Sequence, residues 1–92
     1  MLELITLSRT GEQWYLNKVI INSDHISIIV EDDRTNDLLK EGKIELGFSK
    51  AVRFSRVKMQ QQSGFDELIA VGTPTEILEK IKNTSNKKLL KG

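Results

Sequence analysis

The chain reads as a small α+β domain, mainly β: an antiparallel sheet or partly open barrel of about six short strands closed by a C-terminal helix. Three observations carry this. Segments rich in Ile, Val and Thr recur between polar turn clusters. The turns between them are too short for crossover helices, which forces antiparallel pairing. The one strong helix-start signal, Thr73-Pro74-Thr75-Glu76, comes after the last strand pattern.

Leu2–Ser8 reads as a first strand and Gln13–Ile21 as a second. Between them Gly11 supplies the positive φ of a hairpin turn. Asn22-Ser23-Asp24 is the next turn. His25–Glu31 alternates around Ile26, Ile28 and Val30, with Ile29 apolar on the opposite side, as in a strand that is apolar on nearly both faces. Residues 35–42 read either as a short helix capped by Thr35 or Asn36 and stopped by Gly42, or as a plain loop.

Lys43–Ser49 alternates through Ile44, Leu46 and Phe48 and is expected to be a strand. Ala51–Gln60 carries a phase slip: Val52 and Phe54 have one parity, Val57 and Met59 the other. A bulge at Ser55-Arg56 would put all four in one core. After the polar loop Gln60–Gly64, Phe65–Gly72 completes the sheet. The helix then runs from about 74 to 83, with Ile77, Leu78 and Ile81 as its apolar stripe. The expected organisation is one domain over residues 1–83 and a flexible basic tail over 84–92.

Composition narrows the function. At 92 residues this is a single domain. No Cys and one His remove disulfides, thiolate metal sites, cysteine nucleophiles and a His-rich metal centre within one chain. His25 is the sole base for a serine triad and lies at a turn beside Asp24. The chain has no phosphate-binding loop, and Asp32, Asp33 and Asp37 lack the Gly and Glu that a calcium loop needs. The reading is a non-enzyme without cofactor. The start of the sequence has no signal-peptide pattern, and no apolar run could span a membrane, so a cytoplasmic protein with no membrane partner is expected.

The net charge of +1 conceals an asymmetry: residues 80–92 carry five Lys and no acid, while residues 1–79 are net acidic. Two binding surfaces follow. Trp14 and Tyr15 are adjacent in a strand, so one of them is the less buried. With Ile29 they mark a face for self-association or a protein partner. Arg53, Arg56 and Lys58, together with Lys87 and Lys88 of the tail, form the alternative, a nucleic-acid contact on a basic strand face.

Leu4-Ile5-Thr6-Leu7-Ser8-Arg9, then Gly11, then Trp14-Tyr15-Leu16-Asn17 and Ile20 or Ile21, resembles the start of the FlbD-like small proteins associated with flagella and swarming. Glu76-Ile77 and Ile81 echo the terminal helix of that family. The resemblance covers residues 4–21 and 69–82. It implies a small β domain with a C-terminal helix and a non-enzymatic accessory role, with no catalytic residue to carry over.

The function expected is therefore that of a small accessory or regulatory protein acting through protein–protein contacts, self-associating as a homo-oligomer. A nucleic-acid-binding β domain is the alternative.

Overall fold

A computed structural model describes residues 1–47, 51–61 and 64–91; the side chains of Gln61 and of residues 85–91 lie outside the description. Among the described residues the fold is α+β and mainly β, with five strands. They are β1 (Leu2–Thr10), β2 (Gln13–Ile21), β3 (Ile26–Glu31), β4 (Phe54–Gln61) and β5 (Gly64–Val71). Helix α1 (Asp33–Lys40) joins β3 to β4, and α2 (Pro74–Lys91) follows β5. The sheet is antiparallel throughout, in the order β2-β1-β5-β4-β3, so β2 and β3 are its edges.

These two edges are consecutive in the chain. Ile21 and Ile26 are five Cα steps apart, a reach of at most ~18 Å. A flat five-stranded sheet would separate its edges by ~19 Å, before adding the run from the foot of β2 to the head of β3. The sheet must therefore curl. Its inner face does so around one cluster in which Leu2 and Leu4 meet Val57, Met59 and Ala70, with Ile21 and Ile26 packed on it from the two edges. Ile77 and Ile81 of α2 close this cluster, and α2 packs against both β1 and β3.

A second cluster lies on the outer face, where Leu7 and Phe54 meet Leu39 of α1 and Ile44. Both faces of β4 are thus covered at its start. Phe54 and Val57 have opposite parity and are both fully buried, each in its own cluster. This removes the expected bulge at Ser55-Arg56. β4 pairs with β5 without interruption from Phe54↔Val71 to Gln61↔Gly64, and the phase slip reflects two cores rather than one.

The irregularity lies instead in β3, between Ile26 and Ile28. It turns Ile26 and Ile29 inward and leaves Ile28 and Val30 outward, which inverts the alternation expected for this strand. The expected strand at Lys43–Ser49 is not formed over its described part, 43–47: it is an unpaired loop that buries Ile44 and packs Leu46. Phe48 and Ser49 lie outside the described residues.

The open question over residues 35–42 resolves as a helix, but the cap is Asp32 rather than Thr35 or Asn36. Its carboxylate accepts from the Thr35 amide at 3.2 Å and from Thr35 Oγ1 at 2.7 Å. Thr35 and Asn36 are buried in the first turns, where the Asn36 side-chain oxygen accepts from the Phe54 amide at 2.7 Å.

The capping box at α2 forms as expected. Glu76 N donates to Thr73 Oγ1 at 3.1 Å, and Thr73 N donates to Glu76 Oε1 at 3.0 Å. These bonds hold the Glu76 carboxyl below its usual range. The helix runs through Lys91 rather than ending near Asn83.

Candidate partner-binding edges

The β1–β2 hairpin sets the geometry of the first edge. Gly11 has φ +62° and Glu12 a negative φ, the pattern of a two-residue type II′ turn, whose closing pair Thr10↔Gln13 is hydrogen-bonded. The ladder then alternates. Tyr15, Asn17, Val19 and Ile21 direct their backbone groups at β1. In agreement, the Asn17 carbonyl accepts from Thr6 Oγ1 at 3.3 Å. Trp14, Leu16, Lys18 and Ile20 therefore direct theirs away from the sheet. Among the described residues, no backbone group outside β1 bonds to β2.

On the outer face this edge exposes apolar side chains. Ile20 is 66% exposed, and Leu16 and Ile5 are exposed beside it on the outer face. They surround Lys18, whose Nζ lies 3.5 Å from Glu3. The opposite edge repeats the theme, with Ile28 and Val30 of β3 49% and 44% exposed on the same face.

The expected surface residues distribute unevenly. Tyr15 is exposed, its hydroxyl 3.1 Å from Thr10 Oγ1. Trp14 is half-buried: it packs on the outer-face cluster and carries the Arg9 guanidinium 5.1 Å from its ring centroid. Ile29 packs against the inner cluster, so its neighbours Ile28 and Val30 are the exposed apolar residues of that strand. Leu16, Ile20, Ile28 and Val30 are the residues that sequence reasoning missed. The Gly11 turn, which fixes backbone parity along β2, was the signal that could have singled out the first two.

The basic strand is largely neutralised. Arg53 precedes β4 rather than lying within it, and its Nη2 is 2.6 Å from Glu31 Oε1. That hydrogen bond holds the guanidinium above its ordinary value. Arg56 lies between Asp32 at 3.5 Å and Glu67 at 3.3 Å. Lys58 shares the outer face with Arg56 and makes no ion pair among the described residues. Lys87 and Lys88 lie outside the described side chains.

His25 is exposed at the end of a 3₁₀ turn, Ser23–His25. Among the described residues, no three His, Asp or Glu side chains are grouped to hold a metal, and no helix is long and apolar enough to cross a membrane. A groove of about 450 Å³ runs between β3 and α2, lined by Ile26, Ile29, Leu78 and Ile81.

No family model, curated protein or solved structure matches the chain.

Proposed function

We propose that this is a non-enzymatic cytoplasmic accessory protein that works through protein–protein contact and associates with itself. One observation carries the reading: among the described residues both edges of the sheet lack a strand partner, and each presents exposed Leu, Ile or Val on the same outer face. Open edges are sites where another chain adds main-chain hydrogen bonds, and adjacent apolar side chains supply the burial that makes such pairing persist. The likeness of residues 4–21 and 69–82 to FlbD-like proteins points the same way, as does the lack of Cys for a reducing compartment. The nucleic-acid alternative draws less support, because Arg53 and Arg56 are held by Glu31, Asp32 and Glu67.

Sedimentation velocity over a micromolar concentration series tests the proposal. The wild-type chain should sediment as a particle heavier than 10.5 kDa. Ile20→Lys, which places a charge on an exposed edge residue, should weaken association by about tenfold or more. A wild-type chain that stays at monomer mass throughout would contradict the proposal.

A further inference from the structure

We infer that the occupant of the β2 edge is the β2 edge of a second copy, paired antiparallel about Asn17. This rests on the self-association proposed above and adds its geometry. The two edges are not equivalent. β3 has six residues, carries the register break between Ile26 and Ile28, and packs against α2; a bulge and a covering element are ways a sheet blunts an edge. β2 has nine residues in uninterrupted register with β1 and, among the described residues, neither a register break nor a backbone partner other than β1.

Parity then selects the pairing. The outward backbone groups belong to Trp14, Leu16, Lys18 and Ile20, so a twofold ladder must match even-numbered residues with even-numbered ones. Centring on Asn17, the midpoint of β2, uses the whole strand: Leu16 meets the partner's Lys18, and Trp14 the partner's Ile20. Charge agrees with this register. Lys18 is the one charged residue of β2, and here it lies opposite an apolar side chain, with its own Glu3 at hand to neutralise it. Asn17, exposed and on the axis, faces its own copy in a non-hydrogen-bonded pair, the closest approach in an antiparallel ladder.

The chain has no Cys, so Asn17→Cys introduces a single thiol at that axis. The Cα separation of such a pair, ~4.5 Å, lies within disulfide range. Under mild oxidation Asn17→Cys should cross-link at least ~10-fold faster than Ser27→Cys, an exposed control on the β3 edge. Leu16→Pro, which removes an outward amide and leaves the β1 ladder intact, should give a folded monomer. If the wild type sediments as a dimer but Asn17→Cys does not cross-link, or Ser27→Cys cross-links faster, the β2 pairing is overturned while self-association stands. A monomeric wild type overturns both.

Discussion

Phe54→Ala should destabilise the protein by about 3–5 kcal/mol in equilibrium denaturation. The ring is fully buried where β4 passes beneath α1, and it holds Leu7, Leu39 and Ile44 together. A loss of that size approaches the total stability of a small domain, so the variant should be only marginally stable at ambient temperature. Val57→Ala, three residues on and facing the other way, should cost about 2 kcal/mol. Its neighbours are Leu4, Met59 and Ile77, a separate set.

The milder Phe54→Leu combined with Val57→Ala should therefore be additive within ~0.5 kcal/mol. Strong coupling between the two would mean that they share one core, the arrangement a bulge at Ser55-Arg56 would have produced.

Asp32→Ala should be the next most damaging polar change, costing about 2–4 kcal/mol. It removes the cap of α1 and strands the buried Thr35 hydroxyl and amide that now donate to it. Asp32→Asn keeps an acceptor at the same place, and Asn caps as well as Asp, so it should cost less than ~1 kcal/mol. Urea melts of the two variants separate the explanations. Equal losses would assign the stability to the charge facing Arg56, 3.5 Å away, rather than to the cap.

The hairpin, the last strand and the capping box of α2 were legible because each is written in local chemistry: Gly11 in its turn, Thr73 and Glu76 three residues apart. What the sequence hid depends on contacts distant in the chain. The opposite parities of Phe54 and Val57 look like a slipped strand until both faces of β4 are seen to be covered. Ile44 and Leu46 alternate like a strand because a loop lying on a core also turns these two side chains onto it. The β3 irregularity is a backbone event that leaves no mark in the residue pattern, so Ile29 reads as exposed and Ile28 as buried, the reverse of their packing. The same limit applies to the basic strand: its arginines look free until Glu31, Asp32 and Glu67 arrive from other segments.

Residue-resolved hydrogen exchange on the wild-type chain, repeated at low and high protein concentration, tests the claim that an open β2 edge is the working surface. The amides of Tyr15, Asn17 and Val19 should be protected at every concentration, because they bond to β1. Those of Leu16, Lys18 and Ile20 should exchange rapidly when dilute and become protected as concentration rises. Rapid exchange of Leu16, Lys18 and Ile20 up to the highest concentration would contradict the account.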